Sequence, residues 1–185
     1  MWYSYTMYEK IKLKKTLSSG RVAHTSLLPT QEGFVEMLMS GWQTVDNEVL
    51  FLRLQKKWFD MIAKGEKKEE YRDLSRYWAI RLLPEHKREQ VLHDWNPAPT
   101  RNLVAFHQPK KPWQYALFVN GYASTSPAVL VEFFQLAATN VTKPEWGGQP
   151  GKPCFAIHLD SVLNYSNLDP ELEYEVYNNK RKQTT

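Results

Sequence analysis

The sequence predicts an α+β fold, and three features of the chain indicate it. In the stretch 49–54, three leucines alternate with other side chains, which is typical of a strand with one apolar face. The next stretch, 57–64, places Trp, Phe and Ile side chains on one side of a helix and charged side chains on the other. Further along, the runs 115–120, 128–136 and 154–159 favour strands because they are rich in β-branched and aromatic residues.

Composition narrows the class of protein. With 185 residues, 42% of them hydrophobic, the chain can bury one sizeable core with additions. Its single cysteine, Cys154, excludes an intrachain disulfide and a cysteine-based zinc site, and we expect it to be buried. No run approaches the ~18 apolar residues of a membrane span, and no apolar signal core opens the sequence, so we expect a cytoplasmic protein without membrane contacts. The net charge of +4 permits an anionic partner such as nucleic acid.

Residues 1–48 are predicted to form an extension that packs on the main domain. A short strand is expected at its start, where aromatic side chains alternate with polar ones, and four lysines then interleave with Ile11 and Leu13. This basic stretch either faces phosphates or forms an edge strand whose lysines discourage pairing, and we favour the edge strand. A turn is predicted at 18–20, a helix over 31–39 and a polar linker over 43–48.

The segment after the first predicted helix of the main domain concentrates charge beside a glycine. Gly65 is expected to end that helix in a left-handed conformation, and Lys67, Glu70, Tyr71 and Arg72 follow. In a strand, Glu70 and Arg72 share one face, and the long stem of Lys67 can reach them from the turn. A carboxylate between two cations stays ionised and can accept hydrogen bonds from a base amine, while Arg72 can grip a phosphate. The alternative is a solvated lattice of surface ion pairs, worth only ~0–1 kcal/mol each.

The second half of the chain adds further candidates. A helix capped by Ser75 is predicted over 75–83, and residues 85–113 are an irregular, proline-rich insertion with one charged helical turn. The insertion mixes basic and aromatic side chains, which either bind single-stranded nucleic acid or anchor a loop: Arg101, Phe106, His107, Lys110, Lys111 and Trp113. Residues 166–185 are expected to be a tail that frays from Asn178.

A shaped loop is predicted around Trp146. The glycines and prolines of 143–151 are typical of a turn-rich segment, and the Trp146 ring either stacks on a base or plugs the end of a barrel. The histidines do not suggest a metal site, because His158 lies in an apolar strand and His86 and His93 lack a third ligand. No phosphate-binding glycine loop is present either, so we predict neither a metal nor a cofactor.

The run 65–72, GEKKEEYR, resembles the G-x-K-x-x-E-x-R signature of the ASCH domain, a family of the PUA-like superfamily. The strand and aromatic helix before it, and the later segments 118–122 and 143–147, also resemble ASCH-like proteins of bacteria and their phages. The similarity covers residues 49–165, with 85–113 as an insertion. It implies a small mixed β-barrel flanked by helices, with a cleft beside the motif that receives RNA or a nucleobase derivative.

Two functions from different classes follow from this resemblance. In the first, the protein binds RNA or a modified nucleoside: Tyr71 or Trp146 stacks on a base, and the polar contacts come from Lys67, Glu70 and Arg72. In the second, it is a metal-independent hydrolase, since some ASCH relatives remove the acetyl group from N4-acetylcytidine and others are described as ribonucleases. The amidohydrolase relatives use a threonine nucleophile where Glu70 stands, so hydrolysis here would require Glu70 to activate water while Lys67 stabilises the oxyanion.

Overall fold

The structure is a computed structural model that describes residues 8–96 and 99–183. The strand predicted near the N-terminus lies outside the described residues at Trp2, Tyr3 and Tyr5, as does Pro97 of the predicted insertion. Tyr8, the last residue of that predicted strand, is described and is not part of a strand. Its hydroxyl donates a hydrogen bond to Glu132 Oε1 at 2.9 Å.

The described residues contain both strands and helices in an alternating order. The strands are β1 Ile11–Thr16, β2 Val22–Leu27, β3 Gln43–Thr44, β4 Val49–Arg53, β5 Glu69–Asp73, β6 Val104–His107, β7 Tyr115–Val119, β8 Ala128–Thr139 and β9 Cys154–Ser166. The helices are α1 Phe34–Met39, α2 Lys56–Ala63, α3 Arg76–Leu82, α4 Glu85–Asp94 and α5 Pro170–Gln183, and a 3-10 helix covers Pro144–Trp146.

The fold is α+β, as predicted, with a curled half-barrel sheet flanked by helices. Five strands follow one another in the order β4, β7, β8, β9 and β5, and β6 pairs with the far half of β8. The pair β4–β7 is parallel and the others are antiparallel, so the sheet is mixed. The pairing of β8 with β9 shifts register between Leu130 and Gln135, and such bulges bend and twist a sheet.

Strand β4 lies between two hydrophobic cores. Leu50 and Leu52 point into the main core, which also contains Phe59 and Ile62 of α2. The alternating residues of β4 face the second core, between the half-barrel and the N-terminal extension. The predicted strand is therefore confirmed, and its second face is apolar as well.

The N-terminal extension forms a three-stranded sheet in the order β2, β1, β3. The predicted turn at 18–20 is confirmed as the β1–β2 hairpin. The interpretation of β1 as an edge strand is wrong, because β1 pairs with β2 on one side and β3 on the other. The predicted linker 43–48 likewise begins as a strand. The faces of β1 explain its central position, since Ile11 and Leu13 are buried and pack in the same core as Phe34 of α1.

The helices predicted in the main domain are confirmed. Gly65 has a φ of 75° and ends α2, and the Ser75 hydroxyl caps α3 by accepting a hydrogen bond from Trp78 N at 3.5 Å. Helix α1 begins at Phe34, three residues after the predicted start, because Gly33 is left-handed. Among the described residues, no helix combines the length and the apolar character that crossing a membrane requires.

The predictions for the insertion and the C-terminus need correction. The insertion contains a full helix, α4, and a strand, β6, that joins the main sheet. The C-terminal residues up to Gln183 form α5 and do not fray from Asn178. Helix α5 is anchored on the end of α2, where Val176 is buried and Asn179 Nδ2 donates to Lys64 O at 3.1 Å. Its sequence conceals this packing because most of its side chains are polar.

Candidate functional site

The charged motif begins where α2 ends. The amides of Glu66 and Lys67 both donate to Met61 O, at 2.9 and 3.1 Å, so the chain turns tightly after the helix. It then continues as β5, which pairs with β9 so that Glu70 lies opposite Ile157. The resulting face of β5 carries both Glu70 and Arg72, as the period-two pattern predicts.

Lys67 is almost fully buried, with 2% of its surface exposed. Its ammonium donates to Trp146 O at 2.6 Å and lies 3.3 Å from Glu70 Oε2. The ring centroids of Trp58 and Tyr71 lie 5.3 and 4.8 Å from the same nitrogen. One carbonyl, one carboxylate and two aromatic faces thus replace the water that this cation loses on burial.

Glu70 links Lys67 to Arg72 in a buried charge cluster. Glu70 is 5% exposed, and its Oε1 lies 3.1 Å from Arg72 Nη2. The Arg72 guanidinium carbon lies 4.7 Å from the ring centroid of Trp78. A surface ion-pair lattice is therefore excluded, because Lys67 and Glu70 are removed from solvent and each has a defined partner.

Arg72 also joins the two ends of the half-barrel. Its Nη2 donates to Arg53 O at 3.0 Å, so it connects β5 to β4, the last and first strands of the sheet order. A second guanidinium, from Arg81 of α3, donates to Phe51 O on the same edge of β4. These two side chains satisfy carbonyls that an edge strand leaves unpaired, and they help to close the curl.

Burial shifts the pKa values of the Glu70 carboxyl and the Lys67 ammonium in opposite directions. Desolvation raises the pKa of the Glu70 carboxyl, against the attraction of Arg72 and Lys67. Desolvation also lowers the pKa of the Lys67 ammonium, against the attraction of Glu70. Shifts of this kind occur at functional sites and in structural ion-pair networks, so the surrounding cleft must decide between these roles.

Tyr71 lies on the other face of β5 and is fully engaged. Its hydroxyl donates to Glu69 Oε2 at 2.7 Å and accepts a hydrogen bond from Lys143 N at 3.1 Å. Burial and the hydrogen bond to Glu69 raise the pKa of the Tyr71 hydroxyl. Tyr71 therefore holds the start of the segment 143–153 against β5, and the same hydroxyl cannot also turn toward a base.

The segment 143–153 approaches the motif through its backbone. Gly147 has a φ of 85°, and a Cβ at this position would lie 2.7 Å from a ring atom of Trp58. Only glycine allows this approach, which brings Trp146 O to Lys67. The Trp146 ring is half-buried and faces the ammonium of Lys143 at 3.7 Å, so it does not plug the barrel.

A cleft of about 100 Å³ lies between β5 and this segment. Arg72 and Tyr71 lie on its wall, whereas Lys67, Glu70 and Trp146 do not. The structure thus brings the predicted residues together, but it places only two of them at the cleft. The other lining residues are Asp73, Gly147, Gly148, Gln149, Lys152 and Cys154. Cys154 is buried, as expected, and burial raises the pKa of its thiol to about 12.

Several residues of the site were not predicted as part of it, and four of them bring contacts or charge. Trp58 and Trp78 lie beneath the cations of the motif, although the sequence predicts them only as apolar helix positions. Arg53 and Lys152 contribute a carbonyl and a lining side chain. A tryptophan on the helix on each side of a charged strand was the available signal, because indole rings are the preferred partners of desolvated cations.

The basic and aromatic residues of the insertion do not join this cleft. Phe106 and His107 line a separate cavity of about 310 Å³ beside α4, and Trp113 is buried in the main core. Lys110 donates to Ile80 O at 3.3 Å. Within residues 8–96 and 99–183, no group of three or more His, Cys, Asp or Glu side chains is arranged to hold a metal ion.

Comparison of the chain with family models, with curated proteins and with solved structures finds no significant match.

We predict that the protein loses stability at acidic pH because of two half-buried histidines. Burial lowers the pKa of His107 and of His158, and Lys87 adds to the effect at His107 whereas Glu69 opposes it at His158. The unfolded chain therefore binds protons first, so the free energy of unfolding falls as the pH drops through about 6.5 and levels off below the folded-state pKa values. Urea unfolding between about pH 7.5 and about pH 5.5 measures this loss.

Three variants test whether these two histidines cause the pH dependence of unfolding. His107→Gln and His158→Gln should each reduce the pH dependence of unfolding, whereas His24→Gln, at an exposed position of β2, should leave it as in the wild type. If both variants kept the wild-type pH dependence, other groups would be responsible for the loss of stability.

Proposed function

We propose that the protein binds single-stranded RNA or a nucleotide in the cleft between β5 and the segment 143–153. The observation that carries this proposal is the position of Arg72, which lines the cleft while Glu70 and the Trp78 ring hold its guanidinium in place. A planar cation fixed in this way suits a phosphate, because little side-chain entropy is lost when the ligand binds.

The rest of the cleft supports binding of an anion. Lys152 lines it with a side chain that is 56% exposed, and this lysine pairs with Asp73, which is 74% exposed. Such a surface pair is weak and can open for a competing phosphate. The segment 147–149 also lines the cleft, and Gln149 in it is exposed.

The size of the cleft limits what part of the ligand it holds. About 100 Å³ accommodates a phosphate or the edge of a base, whereas sites for drug-sized ligands are about 300–1,000 Å³. The remainder of the nucleotide would lie on the surface, where the half-buried ring of Trp146 can stack on a base. This division of roles is consistent with the ASCH resemblance, although Lys67 and Glu70 then act as supports of the site.

Hydrolysis is the less favoured alternative. The Lys67 ammonium already contacts Trp146 O and Glu70 Oε2, and neither Lys67 nor Glu70 lines the cleft. A water-activating pair must reach the scissile bond, which these contacts do not allow in this conformation.

The test is fluorescence anisotropy with a labelled single-stranded RNA at several salt concentrations. Arg72→Lys keeps a positive charge beside Glu70 but removes the planar guanidinium, and it should weaken binding by about tenfold. Lys152→Ala should reduce the steepness of the salt dependence by about 0.7 in the logarithmic slope, the value for one phosphate contact on a single strand.

Lys10→Ala serves as the matched control, because Lys10 is exposed and precedes the N-terminal sheet. Apart from the small loss that removing any one positive charge causes, it should leave the RNA affinity unchanged. It should not reduce the slope of the salt dependence as Lys152→Ala does. Thermal unfolding of each variant verifies that the fold persists. Equal affinity for wild type and Arg72→Lys would reject the cleft as the site, and Lys67-dependent deacetylation of N4-acetylcytidine would replace binding by hydrolysis.

A further inference from the structure

A second and larger cavity lies between the N-terminal sheet and β4, outside the charged motif. Its volume of about 480 Å³ falls in the range of about 300–1,000 Å³ that is typical of small-ligand sites. Its walls come from five elements and three loops, and the lining includes Lys14, Trp42, Asn47, Phe51, Lys111 and Leu117.

The charged side chains that line this cavity are all basic. Lys14 and Lys111 line it, and none of the lining residues is acidic. Within the described residues, the Lys14 side chain has no hydrogen bond or ion pair, and the Lys111 ammonium donates to the neutral Asn47 Oδ1, at 2.6 Å. Two lysines without an acidic partner among the described residues, both in a concave site, attract an anionic ligand.

The apolar part of the cavity is aromatic and aliphatic. Val49 and Phe51 are on the face of β4 that points away from the main core, and Leu117 lies beside Phe51 on β7. Trp42 is half-buried at the edge of the same hydrophobic cluster. These side chains leave an apolar surface with two aromatic rings, which suits a planar aromatic group.

The cavity is preformed by backbone hydrogen bonds. Trp42 N donates to Met37 O at 3.1 Å, and Val45 N donates to Lys12 O at 2.9 Å, so the segment 41–47 is tied to both α1 and β1. Asn47 adopts a φ of 61°, a conformation that asparagine tolerates better than most residues, and the chain then enters β4. A site held in this way loses little conformational freedom when a ligand binds.

We infer that this cavity binds a small planar aromatic molecule that carries one anionic group, a phosphate or a carboxylate. The aromatic ring lies against Trp42 and Phe51, and the anionic group is bound by Lys14 and Lys111. This inference is independent of the proposed RNA site, because the two cavities share no lining residue.

The experiment is isothermal titration calorimetry of the full chain with three probes: adenosine monophosphate, indole-3-acetate and the uncharged adenosine. We expect one of the two anions to bind with one-to-one stoichiometry and adenosine to bind at least tenfold more weakly. Lys14→Ala and Lys111→Ala should each weaken binding of that anion by about tenfold, which corresponds to about 1.4 kcal/mol. Trp42→Ala should weaken it as well, and Trp42→Phe should restore most of the affinity.

Lys12→Ala is the matched control, since Lys12 lies two residues from Lys14 on the same face of β1 and does not line the cavity. It should leave the affinity unchanged. The preferred anion identifies phosphate or carboxylate as the ligand's charged group. Failure of both anions to bind at millimolar concentration, equal binding of adenosine, or an affinity that depends on Arg72 and Lys152 in place of Lys14 and Lys111 would overturn the inference.

Discussion

Replacing Glu70 with alanine is expected to lower the free energy of unfolding by about 3–5 kcal/mol. The substitution leaves the Lys67 ammonium, which is 2% exposed, without its carboxylate, and it removes the acidic partner that lies 3.1 Å from Arg72. Breaking a buried ion pair on one side costs far more than the pair contributes, because the remaining charges stay desolvated. Urea unfolding at neutral pH, monitored by tryptophan fluorescence, measures the loss.

Two further variants test whether the loss comes from the charge of Glu70, from the volume of its side chain or from its buried position. Glu70→Gln keeps nearly the same volume and should show a smaller loss than Glu70→Ala, since its amide oxygen can still accept a hydrogen bond. Glu66→Ala changes an exposed glutamate of the same motif and should remain within about 0.5 kcal/mol of the wild type. A loss no greater for Glu70→Ala than for Glu66→Ala would contradict the buried cluster.

Replacing Gly147 with alanine is expected to cost about 3 kcal/mol, from a left-handed backbone at about 1–2 kcal/mol and overpacking at about 1–3 kcal/mol. The new Cβ would lie 2.7 Å from the Trp58 ring, so either the ring or the segment 143–153 must move. Movement of the segment would withdraw Trp146 O from Lys67 and leave the ammonium with one fewer acceptor. Thermal and urea unfolding measure the cost, and RNA binding should weaken in parallel.

Gly151 provides the matched control for this substitution. It has a φ of 83°, close to the 85° of Gly147, but a Cβ added at Gly151 would meet no atom within 4 Å beyond its chain neighbours. Gly151→Ala should therefore carry only the backbone cost of about 1–2 kcal/mol. Equal losses for the two variants would show that contact with Trp58 does not determine the effect.

The charge cluster connects the closure of the fold with the proposed binding site. Arg72 donates to the carbonyl of Arg53 across the open side of the half-barrel and also forms part of the cleft wall. A change that loosens the sheet ends should therefore alter the position of the cationic group offered to a phosphate. We infer that Lys67 and Glu70 influence binding through Arg72 and the segment 143–153, without touching the ligand themselves.

Sequence patterns predicted those helices and strands whose side-chain periodicity or capping residues lie within the element itself. The β4–α2–β5 unit followed from alternating leucines, an amphipathic helix and the stop at Gly65, and Ser75 marked the start of α3 through its own side chain. Strand β2 has no buried side chain and gave no such signal, so it was missed. The central place of β1 was also missed, because lysines occur on central strands when only one face packs on a core.

Sequence alone determined the order of strands and helices in the β4–α2–β5 unit and the position of the charged motif in it. It also determined that Glu70 and Arg72 share one face of β5. Each of these features depends only on residues that are close in the sequence. Only the tertiary structure decided that this charge is buried. Lys67 is enclosed by Trp146, which lies 79 residues further along the chain, and by the Trp58 ring of the preceding helix. A run of lysines and glutamates carries no local mark of such contacts, because burial is decided by distant segments that the fold brings together.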